Sequence, residues 1–244
     1  KTTGLSTGGA TFARFIYSAP IVAVLILIYA RMSGQTFPAM PGRFWQFAMA
    51  GGLAQILATM CVVAIFSHRN FAVGITFKKT EVVMTAIASF LILGEGVGIV
   101  GAFAIGIGLL GVLVLSDPPG GEGYFLSRIV NRAAGLGILS GVFFAISAVG
   151  YRGASLALSH GDTVLRAGTT LAVVTASQTL ALGLWLAWRE RGQIAVVLRA
   201  WRVAGMVGIM SMVGSFCWFT AFTLQNVAYV NAVGQVELIF SIAA

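Results

Sequence analysis

Five polar side chains near the middle of two apolar segments are the candidates for chemistry in this sequence. Lys78, Lys79 and Glu81 lie in one segment, and Gln235 and Glu237 lie in the other. A lysine ammonium group can bind an anion, whereas a carboxylate can bind an amine or carry a proton. We interpret the five residues as a binding site for an anionic or zwitterionic small molecule, with Glu237 and Glu81 as candidate proton carriers.

Both carboxylates lie at the depth of the bilayer midplane if their segments cross a membrane. Glu81 is ten residues after Phe71, or about 15 Å along a helix, which is half of a hydrocarbon core about 30 Å thick. Glu237 is nine residues after Ala228, or about 14 Å. Charged residues at this depth are costly, so each is a functional candidate. A second interpretation stays open, in which the lysines and carboxylates form a structural polar network.

The elements that must position these residues are long apolar helices. Hydrophobic residues make up 58% of the chain and charged residues 9%, with a mean hydropathy of +0.95, whereas a soluble domain carries about 25% charged residues. Because a membrane helix needs about 20 apolar residues, the sequence predicts an all-α integral membrane protein with eight transmembrane helices. These run approximately over residues 9–29, 44–66, 71–93, 97–115, 133–156, 167–188, 203–224 and 228–244.

An internal repeat relates the two segments that carry the carboxylates. A shift of 156 residues aligns residues 45–88 with residues 201–244 without a gap. The identical pairs include Trp45 with Trp201, Cys61 with Cys217, Asn70 with Asn226 and Glu81 with Glu237. Aligned helices are five apolar segments apart, and an odd step inverts their orientation. The sequence therefore predicts an inverted-repeat helical bundle, an architecture in which the binding site lies near the midplane.

The repeat also predicts a helix beyond each end of the chain. Segment 97–115 has no counterpart after residue 244, and segment 133–156 has none before residue 9. We expect ten helices in two halves of five, of which eight are present. In this division residues 1–116 form the first repeat without its first helix, residues 117–132 form a loop, and residues 133–244 form the second repeat without its last helix.

Three local features carry a family resemblance. They are Ala13-Arg14-Phe15 early in the first segment, the helix pair over residues 45–93 that ends in Gly94-Glu95, and the glycine-rich residues 101–111 with their Leu-Gly-Val-Leu-Val-Leu tail. With the repeat, this pattern resembles the drug/metabolite transporter superfamily, EamA type, over essentially the whole chain. The resemblance implies a secondary transporter, often an exporter of amino acids or other small metabolites, that works by alternating access about a central cavity. Its setting would be the bacterial inner membrane, as a monomer or homodimer.

The two carboxylates differ in their neighbours. Lys78 precedes Glu81 by three residues, close enough on a helix for an ion pair. In the other half the positions that match Lys78 and Lys79 are Gly234 and Gln235. Burial favours the neutral form of a carboxyl and a nearby cation favours its ionised form. We therefore expect Glu237, more than Glu81, to be the proton-responsive group.

Other classes of protein fit the residues less well. The net charge of +8 comes mostly from basic residues between apolar segments, where they meet lipid headgroups, and no patch fits a nucleic acid. His68 and His160 fall between helices without a metal-ligand spacing, so we expect no metal, no cofactor and no catalysis. A structural or receptor role, or less favourably an intramembrane enzyme, is the alternative to transport.

The sequence also supports expectations for three further polar residues and for the orientation in the membrane. Arg14 is about 8 Å into its segment, so we expect its side chain to extend to the headgroups. Gln55 and Gln178 are expected to form hydrogen bonds between helices or to a substrate.

The orientation in the membrane is indicated by two signals that disagree. The surplus of basic residues on the side of Lys1 places that residue in the cytoplasm, whereas the resemblance places it outside, and we favour the latter.

Overall fold

The computed structural model describes residues 4–66, 71–115 and 132–236. Every regular element in these residues is a helix, which confirms the predicted all-helical class. In chain order they are α1 (Thr7–Met32), α2 (Gly42–Ile65), α3 (Phe71–Lys78), α4 (Glu81–Leu93), α5 (Ile99–Leu115), α6 (Arg132–Ala157), α7 (Thr163–Arg189), α8 (Gln193–Arg199), α9 (Trp201–Leu224) and α10 (Val227–Gly234). Residues 117–131 of the predicted loop lie outside the described residues.

Five of these helices are long and apolar enough to cross a bilayer. They are α1, α2, α6, α7 and α9, each with at least 24 residues, against the roughly 20 that a bilayer requires. They indicate a multi-pass membrane protein. The three remaining predicted segments contain shorter helices. Segment 71–93 contains α3 and α4, segment 97–115 contains α5, and the described part of segment 228–244 overlaps α10.

The predicted continuous helix over residues 71–93 is wrong, because a turn at Lys79 and Thr80 separates α3 from α4. The backbone N–H groups of Lys79 and Thr80 donate to carbonyls three residues earlier, not four. The Thr80 hydroxyl also donates to the Phe77 carbonyl at 2.7 Å. Such local side-chain bonds to the backbone compete with the α-helical pattern.

A matching turn follows α10. The backbone N–H groups of Gln235 and Val236 again donate to carbonyls three residues earlier. A shift of 156 residues takes Lys79 to Gln235 and Thr80 to Val236, and it takes both ends of α3 to both ends of α10. The two turns therefore occupy equivalent positions in the aligned sequences.

The chain forms two compact units, unit 1 (Lys1–Ile56 and Gly150–Leu224) and unit 2 (Leu57–Val149 and Gln225–Ala244). In unit 1, α1 packs along α7, and each helix begins at a side-chain cap. Ser6 Oγ accepts a hydrogen bond from the Gly9 N–H at 2.9 Å, and Asp162 Oδ1 accepts one from the Leu165 N–H at 2.8 Å. These caps satisfy backbone donors that the helix itself leaves unpaired.

Polar contacts join α1 and α7 at both ends. The Ser6 hydroxyl donates to the Glu190 carboxylate, and the Tyr29 hydroxyl donates to Asp162 Oδ2. The start of each helix therefore lies beside the end of the other, so the two helices are antiparallel.

Glycines permit the close helix contacts of unit 2. Gly137 of α6 lies against Gly74 of α3, so that a Cβ at Gly137 would lie 3.0 Å from the Gly74 carbonyl carbon. One turn further along α6, a Cβ at Gly141 would lie 3.2 Å from the Lys78 carbonyl oxygen and 3.3 Å from the Glu81 nitrogen. Small residues four apart allow such approach between membrane helices. The turn between α3 and α4 is therefore packed directly on α6.

Candidate functional site

The candidate site in unit 2 is centred on an ion pair across the turn between α3 and α4. Lys78 Nζ lies 3.2 Å from Glu81 Oε2. Lys78 is the last residue of α3 and Glu81 is the first residue of α4, so each charge lies at the helix end that the helix dipole favours for it. The side chains remain 23% and 17% exposed respectively, so the pair is only partly buried.

An aromatic ring also holds the Lys78 ammonium group. Lys78 Nζ lies 4.8 Å from the centroid of the Phe144 ring, on α6. A cation over an aromatic face is attracted by the ring quadrupole. The ammonium group is thus held by a carboxylate and a ring together.

Asn231 connects α10 to the ion pair. Its side-chain amide donates to Thr85 Oγ1 at 2.9 Å and to Glu81 Oε1 at 3.4 Å. The Thr85 hydroxyl in turn donates to the Glu81 backbone carbonyl at 2.7 Å. Asn231 is 3% exposed and Thr85 is fully buried. This buried network links α10, which precedes the turn at Gln235, to α4, which follows the turn at Lys79.

Lys79 and Gln235 occupy the equivalent positions of the two turns and line the same small cavity. Its volume is about 40 Å³. The other lining residues are apolar or small, namely Val82, Ala104, Ile105, Gly108, Leu109 and Ala232. Lys79 is only 6% exposed. A cavity of this size has room for water but not for a metabolite, whose sites are about 300 Å³ or larger.

Gln235 has hydrogen-bonding capacity to spare. Its side-chain amide N–H donates to the Asn231 backbone carbonyl at 3.4 Å. Its side-chain oxygen, Oε1, is buried and accepts no hydrogen bond from the described residues. Such an acceptor is available to an ammonium group or a water molecule that enters the cavity.

The structure places four of the five predicted site residues together in unit 2. Lys78 and Glu81 form the expected ion pair, while Lys79 and Gln235 share the cavity. Glu237, the fifth predicted residue, lies outside the described residues.

Asn231, Thr85 and Phe144 complete the site and were not predicted. A sequence signal existed only for Asn231, which is polar within an apolar segment in the same way as Gln235.

Gln55 and Gln178 lie in unit 1, where they bond to each other. Gln178 Nε2 donates to Gln55 Oε1 and to the Gly52 carbonyl, both at 2.9 Å. Tyr151 of α6 also donates its hydroxyl proton to Gln55 Oε1. These contacts fit the predicted hydrogen bonds between helices.

The prediction that Arg14 extends to the headgroups is wrong. Its guanidinium donates to the hydroxyls of Ser211 and Ser215 on α9. Ser211 is the eleventh of the 24 residues of α9, so the guanidinium lies beside the middle of that helix and not at its end. Two hydroxyls one turn apart hold the charge at this depth.

Within the described ranges, no group of three histidine, cysteine or acidic side chains could hold a metal ion. No protein-family model matches the sequence, and no curated protein matches it. The functional conclusion therefore depends on the residues of the site and their geometry.

Proposed function

We propose that the chain is a secondary transporter of a small polar metabolite that carries a carboxylate or another anionic group, such as an amino acid. The observation that carries the proposal is the pair of turns at Lys79 and Gln235, which a shift of 156 residues aligns and which line one cavity. Paired interruptions of membrane helices are typical of transporter binding sites.

Helix boundaries support the inverted repeat that this proposal includes. The first residues of α1 and α7 are 156 residues apart, as are the first residues and the last residues of α3 and α10. The caps Ser6 and Asp162 are separated by the same interval. In the proposal the protein is an EamA-type member of the drug/metabolite transporter superfamily with two inverted halves, and it acts as an exporter in the bacterial inner membrane.

Lys79, Gln235 and Glu81 each have a proposed partner on the substrate. The Lys79 ammonium group binds the substrate anion, and Gln235 Oε1 with Glu81 accepts hydrogen bonds from the substrate amine. The cavity of about 40 Å³ then represents a closed state of the site. Rearrangement at the two turns, whose backbone N–H groups bond to carbonyls three residues earlier, opens the site to one side of the membrane and then to the other.

Counterflow in proteoliposomes tests the proposal. Vesicles that contain the full chain are loaded with an unlabelled solute, and entry of the same radiolabelled solute is measured for amino acids, dicarboxylates and uncharged polyols. We expect counterflow of carboxylate-bearing solutes only. Lys79→Gln should raise the half-saturating concentration about tenfold or more, because it removes a charged contact.

The matched control is Arg132→Gln, which removes an exposed cation from the first residue of α6 and should leave counterflow unchanged. Absence of counterflow for every solute would contradict transport of this class. Normal counterflow in a folded Lys79→Gln variant would assign Lys79 to the structural network.

A further inference from the structure

Arg14 is a cation at membrane depth in unit 1, and the described acidic groups of that unit lie elsewhere. Asp162 and Glu190 are the acidic residues of unit 1, and they flank α7 at its two ends. Glu190 contacts Ser6, eight residues before Arg14 in the sequence, or about 12 Å along a helix. No carboxylate of the described residues lies within ion-pair distance of Arg14.

The two serines that hold Arg14 keep hydrogen-bond donors free for another group. Arg14 Nε donates to Ser211 Oγ, and a terminal guanidinium nitrogen donates to Ser215 Oγ at 3.5 Å. Because each hydroxyl accepts from Arg14, its own proton remains available for donation. The guanidinium also has N–H groups that these two bonds do not use. Arg14, Ser211 and Ser215 thus combine a positive charge with several directed donors.

The polar partners that the structure gives the Arg14 side chain are uncharged hydroxyls of α9. Other polar side chains of unit 1 bond to one another, since Tyr151 and Gln178 both donate to Gln55 Oε1. A cation removed from water without an anion is costly, and hydroxyl and amide dipoles offset only part of that cost.

We infer that Arg14, Ser211 and Ser215 form an oxyanion-binding site in unit 1. The ligand is a carboxylate or phosphate group, which matches a guanidinium fork with adjacent hydroxyl donors. That group can belong to a free solute or to a lipid headgroup. The inference goes beyond the proposed transport function, and it is tested by binding, not by flux.

The experiment is a thermal-unfolding titration of the purified full chain in maltoside detergent, which contains no phosphate. Inorganic phosphate and acetate are the probes, each compared with chloride at equal ionic strength, because a ligand of the native state raises the unfolding temperature. In a parallel arm, nanodiscs with and without phosphatidylglycerol test the lipid source. The parent should be stabilised by a free probe or by phosphatidylglycerol, which identifies the source.

Arg14→Gln should weaken the apparent affinity for the effective probe about 10- to 100-fold, as expected for loss of charged hydrogen bonds. Arg14→Lys keeps the charge without the planar fork and should be intermediate, as should Ser211→Ala with Ser215→Ala. Arg31→Gln is the control, since Arg31 is an exposed cation on the same helix, and it should respond like the parent.

The inference is overturned if no probe and no lipid stabilises the parent, or if Arg14→Gln responds as the parent does. If Arg14→Gln does not fold, the lysine variant and the double serine variant decide, and an unchanged response in both overturns it. A failure of counterflow leaves this result untouched, because the difference in stabilisation between the parent and Arg14→Gln reports binding that depends on Arg14.

Discussion

The Lys78 ammonium nitrogen lies 3.2 Å from a Glu81 carboxylate oxygen, across the two-residue turn that separates α3 from α4. The pair therefore joins two helices whose backbone hydrogen bonds are interrupted between them. Asn231 of α10 holds the other carboxylate oxygen. A change at either charge should consequently affect the geometry of the turn as well as the charge balance of the site.

Loss of both partners of this pair should cost less than the sum of the two single losses. Lys78→Gln or Glu81→Gln leaves one charge uncompensated, and we expect each to lower the free energy of unfolding by about 1–3 kcal/mol, below the 3–5 kcal/mol of fully buried pairs because both side chains are partly exposed. The double variant should lie closer to the parent than the sum of the single effects. A double-mutant cycle of unfolding in detergent measures the coupling, and strict additivity would contradict a stabilising pair.

Asn231 should be important for stability although its side chain is uncharged. Asn231→Ala removes the donor to Thr85 Oγ1 and to Glu81, and we expect a loss of about 1–2 kcal/mol in the free energy of unfolding. Val233→Ala, at an exposed position two residues further along α10, is the control and should cost much less. Equal losses for the two variants would mean that the hydrogen bonds of Asn231 contribute nothing measurable.

Two glycines of α6 should respond differently to the same substitution. Gly137→Ala would collide with the Gly74 carbonyl group, while Gly135→Ala meets nothing within 4 Å. We expect the first to lower the free energy of unfolding by about 1–3 kcal/mol or more through overpacking. The second should be neutral or should stabilise α6 by up to about 1 kcal/mol. Thermal unfolding of the two variants side by side measures the difference, and the reverse order would contradict the described α3–α6 contact.

The sequence identified four residues of the candidate site because polar side chains are rare in apolar segments. Lys78, Lys79, Glu81 and Gln235 were identified by polarity at membrane depth, and the structure brings them together in unit 2. The five long apolar helices were predicted from hydropathy to within a few residues at most ends, because the bilayer fixes their length and composition.

The turn between α3 and α4 and the location of Arg14 could not be predicted in the same way. The turn at Lys79 and Thr80 contains neither glycine nor proline, the usual signals of a break, and it depends on a threonine bond to the backbone. Arg14 was assigned to the headgroups from its depth alone. Its hydroxyl partners are about 200 positions away in the sequence, on α9, and only the tertiary structure brings them into contact.

Asp162 should make the stability of unit 1 depend on pH in the acid range. Hydrogen bonds from the Tyr29 hydroxyl and from the backbone of α7 lower the pKa of the Asp162 carboxyl, and the first of these is the larger cause. Because the pKa in the folded state is depressed, this contribution is fully present above the unfolded pKa of about 3.9. It is lost as the pH falls through the lower folded value.

Asp162→Ala should therefore lower the free energy of unfolding at pH 7 by about 1 kcal/mol through loss of the helix cap. The difference between parent and variant should shrink as the pH falls below about 4, and unfolding followed by circular dichroism from pH 7 to pH 3 measures it. Tyr29→Phe should show a smaller effect of the same sign. A difference independent of pH would show that the charge of Asp162 is not involved.

The two carboxylates of the proposed transporter should have different effects on pH dependence. Glu81 has Lys78 at 3.2 Å and Asn231 beside it, whereas the positions that match Lys78 and Lys79 in the second half are Gly234 and Gln235, so Glu237 has no cation next to it in sequence. A nearby cation favours the ionised form of a carboxyl. We therefore expect Glu237→Gln to abolish the pH dependence of transport while solute exchange continues, and Glu81→Gln mainly to impair folding or binding.

Transport by both variants is measured in proteoliposomes between pH 5.5 and 8.5, with exchange at equal pH on both sides as the reference. Equal loss of pH dependence in the two variants, or normal pH dependence in Glu237→Gln, would assign the proton to a different group.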